Sequence, residues 1–252
     1  MIVNIYQDSF NSGSGGGGST KFTPLDGFKF SHWDGNAVNA ILPRIENLHS
    51  IKDWSYMLYL VEENVDGNAI SALMPDTVKP TSLKYAFARC NVSDLSEIIK
   101  KIDTSELEAL DYTFQMANID TLDLSHWDVS NVTNINSIAS LCSATTLNLS
   151  GCDFSNVVSV QRTYVPFRMP NLVNIITDEG TKLPAIDLSG LGLDYAPNLT
   201  RESVLNVLNA LPDMSDTTNI HYIYFNTASE SLVTEEEIAT LATAKRWVVE
   251  FK

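Results

Sequence analysis

Apolar residues recur at nearly equal intervals in the central part of the chain. They predominate at positions 1, 4, 5 and 8 of short segments that follow one another along the sequence. The segments are WSYMLYLV (54–61), LKYAFARC (83–90), LDYTFQMA (110–117), INSIASLC (135–142) and VQRTYVPF (160–167). The positions within each segment are typical of one face of a helix. They predict a short helix or helical turn in each segment, with that face directed inward.

A second pattern, with a period of two, alternates with the first. Leucine or isoleucine occupies paired alternate positions in IDTLDLS (119–125), TTLNLS (145–150) and PAIDLS (184–189). Because alternate side chains of a strand lie on the same face, each pair predicts a short strand with one buried face. A turn segment, exemplified by SHWDVSNVTN (125–134), is expected between each strand and the following helical segment.

The turn segments align with one another and add candidate core positions. SHWDVSNVTN (125–134) matches IDTSELEA (102–109) and SGCDFSNVVS (150–159). The aligned apolar positions are Ile102, Trp127 and Cys152 in one column, and Leu107, Val132 and Val157 in another. The repeating unit is therefore a strand, a turn and a helical segment. A single unit cannot bury its own apolar face, so the units are expected to stack into a solenoid.

The segment LDLSHWDVSNVTNINSI (122–138) resembles the BspA-like leucine-rich repeat, which reads approximately LxxLDLSxWDTSNVTNMSxMFxxC. The segments beginning at residues 54, 83 and 110 resemble its MSYMFYGC portion, and the resemblance extends over residues 28–190. It implies an α/β leucine-rich-repeat solenoid of about five units. The departures are an insertion at 36–50, an irregular stretch at 70–80, the more helical LSEIIKKI (95–102), and RMPNLVNIITDEGTK (168–182), which lengthens the interval between the last two predicted strands.

The N-terminal part differs in composition from the repeats. Residues 11–20, NSGSGGGGST, have the composition of a flexible linker, and the segment before it is rich in apolar side chains. The apolar residues of that segment are Ile2, Val3, Ile5, Tyr6 and Phe10. One interpretation is an artificial tag followed by a linker. The other is a docking peptide, residues 1–10, tethered to a solenoid that comprises residues 21–199.

Residues 200–252 follow a different pattern and are predicted to cap the solenoid. TRESVLNVLNALP (200–212) predicts a helix that ends at Pro212, and NIHYIYF (219–225) predicts a strand. Thr234 and Glu237 form a capping box at the start of a second helix, and WVVEF (247–251) predicts a last strand. Terminal repeats must cover the open edge of the core. Similar endings accompany such repeats in phage and prophage proteins of gut bacteria.

Charge and composition exclude several classes of function. The chain has 16 Lys and Arg against 31 Asp and Glu, a net charge of −15. This balance argues against nucleic-acid binding, which needs a basic surface, and against docking on anionic membranes. We find neither the pattern of a signal peptide nor a membrane span. Cys90, Cys142 and Cys152 form no CxxC pair, and we expect buried free thiols.

The motif SHWD occurs twice, at 31–34 and 125–128, and raises the question of a metal or acid/base site. In the repeat frame, Asp128 shares its position with Asp103 and Asp153, but no histidine precedes either of those. We therefore interpret the motif as a structural turn that Asp128 caps. His49 and His221 lack zinc-ligand spacing, and GSGGGG lacks the Lys-Ser/Thr end of a phosphate loop. We expect no enzyme activity, no cofactor and no metal.

The remaining candidate is the outward face of the predicted strands. Its residues are Thr121, Asp123 and Ser125 in one unit, Thr146, Asn148 and Ser150 in the next, and Ala185, Asp187 and Ser189 in the last. The face is either a solvated sheet surface or a shallow recognition surface for a protein or glycan, centred on Asp123, Asn148 and Asp187 with Thr121 and Thr146 beside them.

These expectations combine into one functional hypothesis. The chain would be a non-enzymatic structural protein of a bacteriophage virion, present in several copies on a tail or capsid. Residues 1–10 would dock on other virion proteins, and the repeat domain would contact the host surface or a protein. The alternative is a BspA-like adhesin on a bacterial cell surface, which a signal in a longer precursor would favour.

Overall fold

The structure is a computed structural model. It describes residues 3–4, 28–29, 44–45, 48–61, 65–92, 94–158, 165–185 and 191–252. Of the predicted docking segment, only the backbone of Val3 and Asn4 is described, so Ile2, Ile5, Tyr6 and Phe10 lie outside the described residues. Val3–Asn4 pairs in parallel with Phe28–Lys29. The docking hypothesis therefore stays a prediction.

The helices and strands are short. The strands are β1 (Val3–Asn4), β2 (Phe28–Lys29), β3 (Thr121–Asp123), β4 (Thr146–Asn148), β5 (Asn174–Ile176), β6 (His221–Phe225) and β7 (Trp247–Phe251). The α-helices are α1 (Gly67–Leu73), α2 (Ser96–Ile99), α3 (Arg201–Asn209) and α4 (Glu235–Leu241), and 3-10 helices span Leu48–Ser50, Thr227–Leu232 and Thr243–Lys245.

Six of these elements occupy equivalent places in successive units. In chain order they are α1, α2, β3, β4, β5 and α3, and their first residues follow one another at nearly equal intervals. The strands form one parallel sheet in the order β3-β4-β5. Its register aligns Leu122 with Leu147 and Leu147 with Ile175, so one buried side chain per strand lies in a continuous row. Helices therefore flank the sheet along the chain on both sides.

The third strand of this sheet differs from the sequence prediction. The prediction placed it in PAIDLS (184–189), whereas β4 pairs with Asn174–Ile176. Asp187 lies outside the described residues, and its predicted place beside Asn148 is taken by Ile176. The prediction was wrong because NLVNIIT has the period-two pattern without the LDLS letters that marked the other strands.

Four of the predicted helical segments, those that begin at residues 54, 83, 110 and 135, are also different: they are chains of consecutive β-turns. In the segment 54–61, the N–H groups of Met57, Tyr59 and Val61 each donate to the carbonyl three residues earlier, at 3.2, 3.3 and 3.3 Å. The intervening N–H groups, from Tyr56 and Leu58, donate to the next unit, at 2.9 Å to Lys84 and 2.7 Å to Ala86. Each of the four segments is thus hydrogen-bonded both to itself and to its successor, which an α-helix cannot be.

Positive φ angles make this conformation possible. The third and seventh residues of these four segments have φ between 49° and 62°, as a type II turn requires at its third position. These residues are Tyr56, Leu60, Tyr85, Arg89, Tyr112, Met116, Ser137 and Leu141. None is glycine, so each carries a local conformational cost. The inter-unit hydrogen bonds and the packing of the inward side chains offset that cost.

The fifth turn segment is displaced from its predicted alignment. The N–H groups of Ala139 and Leu141 donate to the carbonyls of Pro166 and Arg168, at 3.0 and 2.6 Å. Phe167 therefore stands opposite Ala139, a place that the alignment gave to Tyr164. Phe167 is buried, and its own N–H donates to the carbonyl oxygen of Leu191. The hydrogen bonds between successive segments therefore continue toward the C-terminal part.

The core is a continuous stack of the inward side chains. Every aligned turn position predicted to be apolar core is buried, including Trp127, Ile102 and Cys152. The three cysteines are free and buried, as predicted. Burial raises the pKa of Cys90 to about 12 and that of Cys142 to about 11. These thiols are therefore packing groups.

The C-terminal residues form the predicted sequence of elements. Thr200 accepts a hydrogen bond from Ser203 N and caps α3, and Thr234 and Glu237 form the predicted capping box of α4. β6 and β7 pair in parallel, and Leu193 bridges to Phe225 beside them. None of the helices in the described part of the chain has the length and apolar character needed to span a bilayer.

Candidate functional site

The outward face of the sheet carries two rows of side chains. One row is Thr121, Thr146 and Asn174, and the other is Asp123, Asn148 and Ile176. The parallel register places each residue beside its counterpart, and all six are exposed or half-buried. Asn174 Nδ2 lies 3.5 Å from Thr146 Oγ1, so the first row is itself hydrogen-bonded. Four of the five predicted recognition residues are therefore brought together.

Asp123 and Asn148 have a structural role beside any recognition role. Asp123 Oδ1 accepts a hydrogen bond from Ser125 N at 3.0 Å, and Asn148 Oδ1 accepts one from Ser150 N at 3.1 Å. Each side chain closes the turn that ends its strand. The second carboxylate oxygen of Asp123 and the amide nitrogen of Asn148 make no hydrogen bond within the described part of the chain. These atoms are available to a ligand.

The second SHWD motif is a turn, as predicted. Asp128 Oδ1 accepts from Ser130 N at 3.0 Å and from Ser130 Oγ at 2.6 Å. Asp103 and Asp153 do the same for Ser105 N and Ser155 N, at 3.0 and 2.9 Å. A carboxylate that caps a turn in three successive units is a structural element of the repeat.

The two other distinctive residues of the motif point in opposite directions. Trp127 is buried, with its ring centroid 5.8 Å from that of Phe114. His126 is exposed, and its Nε2 lies 3.2 Å from the carbonyl oxygen of Ile99 in α2. The histidine therefore connects its turn to the preceding unit. Among the described residues, no group of three or more His, Cys, Asp and Glu could hold a metal ion.

A groove separates α2 from β3, next to these rows. Its volume is about 420 Å³, and Asp94, Ser96 and Lys100 line one side while Asp120, Thr121 and Asp123 line the other. It arises because the same place in the unit is occupied by a helix in one unit and by a strand in the next. A helix is about 10 Å wide, whereas strands lie about 4.8 Å apart.

The opposite end of the sheet is closed by side chains of α3. Ser203 Oγ accepts a hydrogen bond from Ile175 N at 2.8 Å, and Asn206 Nδ2 donates to Ile175 O at 2.8 Å. The backbone of β5 is thereby satisfied on the side that faces α3. Within the described part of the chain, no side chain of α2 forms a hydrogen bond of this kind to the backbone of β3.

Tyrosines form a second ordered surface on the turn segments. Tyr56, Tyr85 and Tyr112 occupy the same position in successive units, and Tyr59 contacts the first two edge-on. Ring centroids lie 4.8 Å apart for Tyr56 and Tyr85, and 4.5 Å apart for Tyr85 and Tyr112. Burial raises the pKa of Tyr56 and of Tyr85. The ring faces pack against one another, so the tyrosine stack stabilises the stacked turn segments.

Ion pairs support two of the turn carboxylates. Lys79 Nζ lies 2.7 Å from Asp103, and Lys182 Nζ lies 2.6 Å from Asp153. The hydrogen bond from Lys79, together with those from Ser105, lowers the pKa of Asp103 to about 2. These pairs link successive units on the surface.

Sequence reasoning missed Asn174, Ile176 and the groove. The two residues could have been found from the period-two pattern of NLVNIIT and its place one repeat interval after Thr146. One sequence pattern pointed toward the groove: LSEIIKKI (95–102) is more typical of a helix than of a strand. That pattern indicates which unit has a helix in place of a strand, but it does not indicate the groove between the helix and the next strand.

Comparison with known proteins gives one similarity. A family described as Mycoplasma protein of unknown function, DUF285, matches residues 47–169. No curated protein and no solved structure matches the chain significantly. The matched region includes the turn segments from 54 to 142 and the strands β3 and β4. Over these residues the chain is similar to the DUF285 family.

Proposed function

We propose that the chain is a non-enzymatic structural protein of a bacteriophage virion, a tail or capsid appendage whose repeat domain contacts the host surface. The observation that carries the proposal is the parallel register that aligns Thr121 with Thr146 and Asp123 with Asn148. It produces an extended polar face with hydroxyl, carboxylate and amide groups at strand spacing. Such faces of repeat proteins are commonly used for recognition.

The repeat units are proposed to be BspA-like leucine-rich repeats. The family match over residues 47–169 falls within the region of the resemblance, residues 28–190. The turn hydrogen bonds of Asp103, Asp128 and Asp153 support a repeat that places an aspartate in each turn. The C-terminal residues after 199 then serve as the cap that covers the open end of the stack.

The second candidate is an adhesin on a bacterial cell surface. The description of the matched family names a cellular source, Mycoplasma, and this favours the adhesin. The outward face would have the same role in both cases. The two candidates differ in where the chain is found and in what residues 1–10 contact.

An antibody against the chain separates the two candidates. Phage particles and cell envelopes are purified from an induced culture, and both fractions are probed by immunoblotting and by immunogold electron microscopy. The virion proposal expects the chain in particles, at one position on the tail or capsid. Detection in envelopes with none in particles would contradict it and support the adhesin.

The docking role of residues 1–10 has a matched test. One variant replaces the apolar residues Ile2, Ile5, Tyr6 and Phe10 by serine, and the control replaces Asn4, Gln7 and Asp8 by serine. We expect the apolar variant to be lost from particles and the control to be incorporated, because apolar side chains ahead of a linker are buried best against a partner. Normal incorporation of the apolar variant would contradict docking.

A further inference from the structure

β3 has an unpaired edge on the side that faces α2. β3 is the terminal strand of its sheet, and Leu124 N–H donates to Asn148 O at 2.9 Å on the β4 side. Alternate residues of a strand direct their backbone groups to opposite sides. The N–H and C=O of Thr121 and the N–H of Asp123 therefore point into the α2–β3 groove, and they have no partner among the described residues.

The other end of the same sheet shows what a closed edge looks like. There, both backbone groups of Ile175 are bound by Ser203 and Asn206 of α3. At β3 the corresponding groups face an open volume of about 420 Å³. One end of the sheet is thus sealed by its own chain, and the other presents unpaired strand groups in a groove.

We propose that this groove binds an extended segment of a partner protein that carries lysine or arginine. The segment would add to β3 as a fourth strand, at the usual spacing of about 4.8 Å. Its backbone would pair with Thr121 and Asp123, in the space that α2 leaves open. The proposal concerns the groove, and it holds for either cellular setting of the chain.

The charged side chains that line the groove, referred to here as its rim, favour a basic occupant. Asp94, Asp120 and Asp123 line the groove, and the one lysine there, Lys100, is paired with Glu97 at 2.6 Å. The rim is therefore net acidic and favours a basic segment. A second copy of the chain is a poor occupant, because it would bring the same acidic rim and a net charge of −15 to the same edge.

The edge also favours a peptide over a glycan. Thr121 and Asp123 present donor and acceptor groups at the spacing of a strand, which an extended peptide matches group for group. The side chains of the outward face remain exposed when the edge is paired, because they project perpendicular to it. The groove and the outward face are therefore neighbouring surfaces, and Thr121 and Asp123 belong to both.

The test uses the full chain and a fluorescent hexapeptide, Thr-Lys-Val-Lys-Val-Thr, with fluorescence anisotropy at low salt. We expect saturable binding that is at least fivefold weaker when glutamate replaces both lysines. Two further peptides carry N-methyl groups at one or the other alternate set of residues. Only one set should abolish binding, because a strand pairs through one edge.

Variants of the chain test the named groups. Thr121→Pro removes the N–H that faces the groove and leaves the β4 side intact, as a proline on an edge strand does; we expect binding about two- to tenfold weaker. Asp120→Asn with Asp123→Asn should weaken the lysine peptide several-fold, while Glu179→Gln with Glu236→Gln, an equal charge change elsewhere, should not. If Thr121→Pro fails to fold, Ser96→Tyr, which fills the groove from α2, replaces it.

Several results would overturn the proposal. These are equal binding of both N-methylated peptides, no weakening by the groove variants, and no binding of the lysine peptide at millimolar concentration. Maltohexaose is tested in parallel as a glycan probe. Its displacement of the peptide from the wild-type chain would assign the groove to saccharides instead.

Discussion

The ring of Tyr85 lies almost parallel to the ring of Tyr112, with 4.5 Å between centroids and 3° between planes. Tyr56 stacks on the other face of Tyr85 at 4.8 Å. Stacked aromatic pairs contribute about 0.5–1.5 kcal/mol each beyond their buried area. Because each tyrosine belongs to a different unit, the stack couples neighbouring turns that are also joined by backbone hydrogen bonds.

We expect Tyr85→Leu to lower the free energy of unfolding by about 1–3 kcal/mol, because two stacking contacts are lost. Leucine is a suitable replacement because Leu60 shows that this side chain occurs at a positive φ in the same stacked turn segments. The measurement is a urea melt followed by circular dichroism. Tyr85→Phe is the control and should cost less than about 1 kcal/mol, the value of one surface hydrogen bond. Equal effects of both changes would assign the stability to the hydroxyl.

The contact between α1 and α2 depends on a glycine. A Cβ at Gly67 would overlap the carbonyl oxygen of Asp94, a backbone atom that cannot move aside as a side chain can. Helix propensity alone predicts that Gly67→Ala stabilises the protein by about 1 kcal/mol. The structure predicts the opposite sign, a loss of at least about 1–3 kcal/mol from overpacking. Thermal melts of Gly67→Ala and of the exposed neighbour Asn68→Ala decide between them.

The SHWD turn gives a paired prediction. Trp127→Ala should lower the free energy of unfolding by about 3–5 kcal/mol, the usual result of truncating a large core side chain. His126→Ala should cost less than about 1 kcal/mol, because it loses one hydrogen bond at the surface. Urea melts of both variants measure this difference. A catalytic or metal role for the motif would instead appear as a functional loss in His126→Ala without loss of stability.

Acid should weaken the link between Lys79 and Asp103. The pKa of Asp103 is lowered to about 2 in the folded chain, from 3.8, mainly by the hydrogen bond from Lys79. A lowered pKa stabilises the fold above the unfolded value, and this contribution is lost as the pH falls from about 4 to about 2. Lys79→Met should therefore lower the urea midpoint at pH 6 and have a much smaller effect near pH 2, where Asp103 is about half protonated in the folded chain. Arg89→Met makes the same change in charge at an exposed residue that forms no ion pair within the described part of the chain, and it should not show this pH dependence.

The sequence predicted the strands and the C-terminal elements better than the turn segments. Leu122 and Leu124, or Leu147 and Leu149, leave few alternatives to a strand with one buried face. The spacing in LDYTFQMA fits a helix, and it fits two consecutive β-turns equally well, because both bury positions 1, 4, 5 and 8. Glycine would have marked the positive φ angles, but the chain has tyrosine, arginine and leucine there. Stacking against neighbouring units, which is a long-range effect, stabilises that backbone.

The candidate site could be predicted only in part. Thr121, Asp123, Thr146 and Asn148 were identified because an outward position follows directly from the strand period. The residues that the third strand contributes to the two rows were missed because Ile176 is apolar and Asn174 lies in an irregular interval of the repeat. The groove depends on how far α2 stands from β3, and this distance is set by packing of whole elements rather than by any local pattern.

The outward face is the last testable feature, and its variants must be kept apart from the groove. Thr146→Val, Asn148→Asp and Asn174→Leu remove hydrogen-bonding groups while they keep the shape of each side chain, and Asp at 148 retains the oxygen that caps Ser150 N. Each lost hydrogen bond is worth about 0.5–1.5 kcal/mol. Single changes should therefore weaken adsorption to host cells a few-fold, and the triple variant should weaken it about tenfold or more. Thr240→Val with Asn219→Asp, exposed residues of the C-terminal part with the same change in charge, serves as the control. Unchanged adsorption of the triple variant, with the protein folded and present on the particle or cell, would mean that the face is merely solvated and that recognition lies elsewhere on the chain.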